Sequence, residues 1–323
     1  MLLFLRFTPV ALALFFLHTS SLSAQVEFEN VDRDHVAITI NGEPFSNFFY
    51  GPSHTKPFLA PLRTASGLTV TRRWPMDNIE TDSHDHPHHR GLWIGFGDVN
   101  GVNFWETEPE SKASGDNPAL KGKVVLASLG DMKPGKKSGS IAMTFNWEAP
   151  GQGVLLEEQR LMTFEAAKDV RIIDIDSTFT AKKDLKFGDT KEGFFAIRLA
   201  DSIAGKNGGL MTNSEGAQTE KNVWGKTADW VDYDGTVDGQ KVGVVIFDSP
   251  ENLHHPTRWH SRDYGLFAAN PFGAKDFDKN ATGGYTMRAG EQLRFRYRVL
   301  IHPGDYSKKK IAELYETYKK KAS

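Results

Sequence analysis

The chain has no cysteine. That excludes a disulfide framework, a thiolate zinc site, a thiol nucleophile and a lipoprotein anchor. Long apolar runs are also missing. The most apolar stretch, residues 7–17, is interrupted by Thr8 and Pro9 and is shorter than the ~18 residues that suggest a membrane span. Charge is balanced at −2, or −3 without Arg6, and the only lysine-rich tract is at the C-terminus, so nucleic acid is not an expected partner. There is no Rossmann glycine pattern, no phosphate loop, no internal repeat and no Pro/Ser-rich linker.

Residues 1–24 read as a secretory signal peptide. Arg6 precedes a short apolar run, and Ser-Leu-Ser-Ala (21–24) supplies the small residues that signal peptidase accepts, with cleavage near Ala24. The expected location is therefore periplasmic or extracellular, with no membrane span. The rest, 25–323, is long enough to bury a large core without covalent staples.

Turn signals punctuate short β-branched and aromatic runs. The clearest strand is EQLRFRYRVLIH (291–302), where Leu293, Phe295, Tyr297, Val299 and Ile301 alternate with Arg294, Arg296 and Arg298. Residues 123–181 read as an antiparallel meander, with Gly-Gln-Gly (151–153) and Ala-Ala-Lys-Asp (166–169) as two of its turns. Further strands are expected at 35–40, 92–97, 194–200 and 242–248. One helix is expected over 307–321, capped by Ser307, with Ile311, Leu314, Tyr315 and Tyr318 on one face. The expected fold is all-β: one large antiparallel β-sandwich domain, 25–323, that includes the C-terminal α-helix.

The densest chemistry lies in RRWPMDNIETDSHDHPHHRGLWIGFGDVNGVNFWE (72–106). Four of the eleven histidines fall within 84–89. Clustered imidazoles are costly when protonated, so the cluster needs a reason. One reading is a divalent metal: in an extended segment His84, His86 and His88 share one side, and neutral imidazoles suit zinc, iron, nickel or copper. Distant ligands would come from His260, His254, Asp189 or Glu192. A second reading is acid–base work by a histidine beside Asp85 in a sugar cleft, with Trp74, Trp93 and Trp105 as stacking faces and Arg72, Arg73 and Arg90 binding hydroxyls or a carboxylate. The third is a hydrogen-bonded corner without chemistry, with Trp93 and Trp105 in the core and the arginines on solvated strand faces.

Two other constellations add to the cluster. Gly-Asp-Thr-Lys-Glu-Gly (188–193) sets Asp189 and Glu192 three apart in a turn that either presents both to a cleft or is simply polar. PTRWHSRDYG (256–265), read as a loop, carries Trp259 and His260 between Arg258 and Arg262 and suggests a second wall of the same site. Of Glu157 and Glu158 only one can face inward on a strand, and solvation is the default for both.

Several long motifs resemble the DUF6807 family: KPFLAPLRTASGLTVTRRWPMD (56–77), DHPHHRGLW (85–93), GDVNGVNFW (97–105), FGDTKEGFFAIRLAD (187–201), WVDYDG (230–235) and PTRWHSRDYGLFAANPFG (256–273). The resemblance implies a secreted, β-rich protein of polysaccharide-degrading bacteria, with a fold similar to the galactose-mutarotase sandwich. Genes for sugar oxidoreductases and keto-sugar hydrolases often lie nearby. Family positions carried over by motif are Arg72, Arg73, Asp85, His86, His88, His89, Arg90, Asp189, Glu192, Arg198, Trp259 and His260; His84 lies outside the block. Members are often labelled methane oxygenases. The particulate oxygenase subunit of that name is an integral membrane protein, and this chain has no span after residue 24, so the activity is not adopted.

These readings converge on an exported carbohydrate-active enzyme, a lyase or hydrolase acting on a sugar or oxidised sugar. Its expected catalytic groups are His86, His88, His89, Asp189, Glu192 and His260. Arg72, Arg73, Arg90, Trp93, Trp105, Arg198, Trp259 and Arg262 would bind substrate. A divalent metal, if used, would sit on His86 and His88. The rivals are a mutarotase-type epimerase, a non-catalytic carbohydrate-binding protein and a copper oxygenase.

Overall fold

The computed structural model describes residues 25–109 and 120–322. The expected signal peptide, 1–24, lies outside the described residues. Two eight-stranded sheets dominate. The first runs in the order β1 (Val26–Val31), β2 (His35–Ile40), β3 (Glu43–Phe49), β4 (Phe58–Ala60), β5 (Leu92–Phe96), β13 (Gly193–Arg198), β18 (Leu266–Asn270) and β17 (Arg258–Ser261). The second runs β14 (Leu210–Asn213), β15 (Trp230–Val237), β16 (Gln240–Asp248), β20 (Gln292–Pro303), β11 (Arg171–Ala181), β10 (Gly153–Ala166), β9 (Ser138–Ala149) and β8 (Lys123–Lys133). Small ribbons pair β12 (Leu185–Phe187) with β19 (Tyr285–Met287), and β6 (Val102–Asn103) with β7 (Leu120–Lys121). Every pairing within the two large sheets is antiparallel.

The sheets pack face to face over a shared apolar core. Aromatic pairs bridge them: Phe195 stacks on Tyr297 at 4.4 Å, and Phe48 meets Phe145 edge-on at 6.2 Å. The meander 123–181 forms β8 to β11 as expected. In β11 buried and part-exposed residues alternate without interruption, as one-sided burial demands. Arg294 and Arg298 do leave the core side of β20 and pair with Asp176 (2.8 Å) and Asp174 (2.6 Å). Glu158, expected to be solvated, instead faces inward, where Arg160, Trp147 and Ser177 satisfy its carboxylate.

A four-residue helix, α1 (Glu220–Val223), precedes β15. The helix α2 (Lys308–Ala322) starts at the Ser307 cap, whose Oγ accepts from Lys310 N at 3.2 Å. Ile311, Tyr315 and Tyr318 pack on the outer face of the second sheet against Trp230, Val245, Phe247 and Leu300. That cover explains why β16 and β20 are buried on both faces.

The first sheet is also covered on its outer face, and there the cover is loop. Trp93, Ala196 and Ala268 share a register row on β5, β13 and β18, with Phe58 and His260 at its two ends. Trp105 packs over this row, with Tyr264 and Met76 against it. The segment Arg258–Ser261, expected as a loop, is the edge strand β17. That places Trp259 on the core side and His260 on the covered face.

Candidate functional site

The Asn100–Gly101 turn closes a two-residue hairpin between Val99 and Val102, both central residues having positive φ. Asn103 Oδ1 then accepts from Trp105 N (2.8 Å) and Glu106 N (2.9 Å), which turns Trp105 back over Trp93 at 5.1 Å. Gly91 leads from the histidine loop into β5. Its φ is +53°, and a Cβ there would lie 2.0 Å from Leu59 O, so only glycine fits.

Two fully buried arginines organise the loop 83–89. Arg72 donates to Ser83 O (3.0 Å), Asp85 O (2.7 Å), Asp85 Oδ1 (2.8 Å), His86 O (2.9 Å) and His89 O (3.1 Å). Arg198 donates to Asp85 Oδ1 (2.6 Å) and Ser83 Oγ (3.0 Å), and lies 3.3 Å from His89 Nδ1. Burial, with Arg198 alongside, lowers the Arg72 guanidinium to about 10. Burial opposes ionisation of Asp85, but His86, Arg198 and Arg72 prevail and hold its carboxyl far below the usual range. Two buried cations thus share one aspartate, and Asp201, whose charge also acts on Arg72, holds Ser83 beside them.

Three of the four clustered histidines come together. His86 stacks on His89 (4.8 Å, 3°), and His88 meets His89 edge-on at 4.3 Å. Burial, reinforced by nearby cations, pushes His88 down to about 2 and His89 well below its ordinary value, so both are neutral. His86 differs: its side chain is 42% exposed, and Nδ1 lies 3.2 Å from Asp85 Oδ1. Its φ of +44° is unusual for a residue other than glycine, and Arg72 and His89 N hold its carbonyl in place. His84 turns away, stacking on Trp74 at 4.9 Å with Nε2 3.0 Å from Ile79 O, so a face of His84, His86 and His88 does not form.

Tyr264, which sequence reasoning missed, is the post at the centre. Its ring stacks on His86 (5.1 Å, 10°), with the Arg198 guanidinium 4.7 Å and that of Arg262 5.6 Å from its centre. Burial raises its hydroxyl well above the ordinary phenol value, against the pull of Arg262 and Arg198. The clue available in the sequence was position: an aromatic two residues after Arg262. Also missed was a buried ion pair under Trp105. Lys56 Nζ donates to Glu108 Oε1 (2.7 Å) and to Trp105 O (3.0 Å), and Arg90 Nε lies 3.7 Å from Glu108.

A groove of about 360 Å³ opens beside this floor. Phe49, Phe58, Pro61, Pro75 and Met76 give it apolar walls, and Arg73 and Arg90 line it with Asp34 and Asp77.

The remaining nominated residues divide. Glu192 is part-exposed and pairs with Lys191 at 2.9 Å. His260 is buried with Nδ1 3.0 Å from Lys191 O, and burial lowers it to about 3. Asp189 is an anchor: its oxygens accept from Ala274 N (2.6 Å), Lys275 N (2.9 Å) and Gly283 N (2.6 Å), tying down the 272–283 loop instead of facing a cleft. Trp259 is a core residue whose Nε1 donates to Ala228 O at 2.9 Å, and it has no face to offer a sugar. Trp93 and Trp105 are likewise fully buried, as floor beneath the histidines.

The nominated metal pair, His86 and His88, has His89 beside it. His86 and His89 are stacked, so their in-plane lone pairs run in parallel planes instead of meeting at a point. The rings of His86 and His88 are 5.7 Å apart and nearly perpendicular. Among the described residues, the group that could hold a metal ion is Asp232, Asp234 and His302, whose donor atoms all lie within 4.8 Å of one another.

Fold and site together define an all-β antiparallel sandwich with an arginine-tied histidine loop on one outer face. A family model for DUF6807, a family of unknown function, matches residues 35–316. The chain belongs to that family. No curated protein matches it by sequence. Among solved structures it is similar to an α-galactosidase from Lactobacillus brevis (TM-score 0.44, 10% identity, 89% of this chain and 40% of that one). A galactose mutarotase-like protein from Clostridium acetobutylicum is matched at TM-score 0.41 and 11% identity, over 86% of this chain and 98% of that one. A polysaccharide lyase is matched at TM-score 0.35 and 11% identity, over 87% and 33%. This chain spans about 40% of the length of the α-galactosidase. At such scores, the substrates of those proteins say nothing about this one. No helix among the described residues is long and apolar enough to cross a membrane.

Proposed function

We propose that this chain is an exported carbohydrate-active enzyme that moves a proton on a sugar or oxidised sugar, with His86 as the base. The observation that carries the reading is the His86 side chain itself. It is open to solvent, braced by Asp85, stacked on Tyr264, and held in a rare backbone conformation by a buried arginine. A general base needs that combination of access and fixed orientation.

The surroundings favour lyase or epimerase chemistry over glycoside hydrolysis. Abstracting a proton next to a carbonyl or carboxylate requires one base, and cations to neutralise the enolate. Arg198 and Arg262 flank Tyr264, Arg262 being paired with Glu220 at 3.2 Å. Guanidinium groups beside the base suit an anionic, oxidised sugar. In an elimination the Tyr264 hydroxyl, kept protonated by burial, supplies a proton to the departing oxygen. Hydrolysis calls for two available carboxyl groups flanking the bond. Around the histidine loop Asp85 is held between two arginines, Asp189 by three backbone amides and Glu192 by Lys191, while Asp34 in the groove lies against His35 and His54. The groove lined by Phe58, Met76, Arg73 and Arg90 is the place for the rest of the sugar, whose apolar faces rest on such walls.

The test is solvent-deuterium exchange. The protein is incubated in heavy water with a panel of sugars, uronates and keto-sugars, and carbon-bound protons are followed by NMR. A substrate should lose one C–H signal, with or without bond cleavage. His86→Ala should slow this by about 10²–10⁴-fold, the usual worth of a positioned base. Undiminished exchange in a folded His86→Ala protein removes His86 from the role. Sugar binding with no exchange anywhere in the panel, and none changed by His86→Ala, makes the protein a binding module instead.

A further inference from the structure

Asp232 and Asp234 sit two apart on β15 and therefore share a face, the outer face of the second sheet that also carries α2. The ladder places Asp234 opposite Gly243 on β16, and Gly243 opposite His302 on β20. An acid, a glycine and a histidine thus form one row across three strands. The glycine is required: a Cβ at 243 would lie 2.1 Å from His302 Cε1, 2.5 Å from its Nε2 and 2.7 Å from Asp234 Oδ1. The imidazole and the carboxylate lean across that gap toward each other.

His302 is set up as a ligand. Its Nδ1 lies 2.7 Å from Pro303 O and donates there, which aims Nε2 at the carboxylates; without an ion Nε2 donates a proton to Asp232, and an ion would take that proton's place. Nε2 is 3.1 Å from Asp232 Oδ1, close to the ~3.3 Å that separates two donors on one tetrahedral zinc ion. Asp234 Oδ1 is buried and accepts no hydrogen bond. A buried carboxylate oxygen without a donor is costly, and here it faces a second carboxylate and an imidazole. A cation would satisfy all three. With the three donors already within 4.8 Å, small side-chain rotations complete the set. A surface cavity of about 290 Å³, lined by Gln240, Lys241, His302 and Pro303, lies beside the group, whose His302 side chain is itself fully buried.

We propose that Asp232, Asp234 and His302 bind one divalent transition-metal ion that fastens the root of α2 to the second sheet. Tyr306 stacks on His302 at 4.7 Å, one residue before the Ser307 cap, so fixing the imidazole fixes the approach to the helix. The site lies on the opposite sheet from His86, and its ion is structural.

The test uses purified protein stripped with a chelator, then titrated with zinc chloride and manganese chloride by calorimetry, with melting followed in parallel. One equivalent of zinc should bind and raise the Tm. Asp234→Asn keeps the shape and removes the orphaned charge, so it should fold at least as well, yet lose zinc affinity by at least ~100-fold. His302→Gln should do the same, while the double variant His86→Ala/His88→Ala should bind as the parent does. No stoichiometric binding of either metal by the parent overturns the proposal. So does binding that survives Asp234→Asn, or binding lost in the His86/His88 variant.

Discussion

Arg72 is the keystone of the histidine loop, and removing it should cost more than any exposed arginine would. Its side chain is fully buried and makes five contacts, four of them to backbone carbonyls of Ser83, Asp85, His86 and His89. Arg72→Ala leaves the Ser83, Asp85 and His89 carbonyls without that donor, His86 O with its bond from His89 N alone, and Asp85 with Arg198 as its one buried cation. Truncating one partner of a buried charged network costs about 3–5 kcal/mol. For a chain of this length each kcal/mol moves Tm by roughly 2–3 °C, so the midpoint should fall by roughly 6–15 °C. Arg72→Lys separates charge from shape. A lysine keeps the cation but has three donors on one atom and cannot span five acceptors, so it should recover less than half of the loss. Denaturant melts give the free energies, and hydrogen exchange across 83–89 shows whether the loop opens before the rest. A loss under about 1 kcal/mol for Arg72→Ala, with unchanged protection of His86 and His89 amides, would refute the reasoning.

Two further perturbations probe the same face. His88, His89 and His260 are buried with values of about 2, well below normal, and about 3, so the folded chain leaves them neutral where the unfolded chain takes up protons. Their contribution is complete above pH ~6.5 and lost as pH falls below it, by up to roughly 1.4 kcal/mol per pH unit each. His255 and His302, whose values are raised, are protonated in both states below that pH and add no slope. Asp234, raised to about 7 by burial and Asp232, works in the opposite sense and releases a proton on unfolding in chelator-stripped protein, so denaturant melts between pH 7 and pH 5 should show a net uptake of up to two protons, and a flat profile would contradict the burial of these rings. Lys56→Met should cost about 3–5 kcal/mol by stranding Glu108, whereas Lys56→Met with Glu108→Leu should recover most of it; a double variant no better than the single would show that the pair is not the issue.

The elements most plainly legible in the sequence are those with one wet face, although the strands expected at 92–97, 194–200 and 242–248 also form. β9, β10 and β11 alternate because one side meets the core and the other meets water or ion pairs, as does β20 up to Arg296 before α2 covers it, and α2 shows its stripe for the same reason. The central strands of the first sheet carry no such signal. FFAIR and LFAAN are buried on both faces, under core on one side and loop on the other, so only their apolar length marks them. β17 was the hardest, since Trp-His-Ser between arginines reads as a loop until its partner β18 is known.

The site divides along the same physical line. The histidines were conspicuous because four lie in six positions, yet their separate fates depend on burial, which spacing does not report. His86 and His88 sit two apart, but one faces solvent beside Asp85 while the other lies neutral under the loop. Arginine carried the most misleading signal. A strand-borne arginine suggests a solvated face, and Arg294 on β20 obeys. Arg72 and Arg198 do not, because the loop 83–89 crosses over them and supplies from Ser83, Asp85, His86 and His89 the acceptors that water would otherwise give. A buried guanidinium is tolerable only where a chain crosses it with oxygens at the right spacing. The same loop that hides the arginines is therefore what they hold in shape, and His86 is the side chain they hold out to solvent.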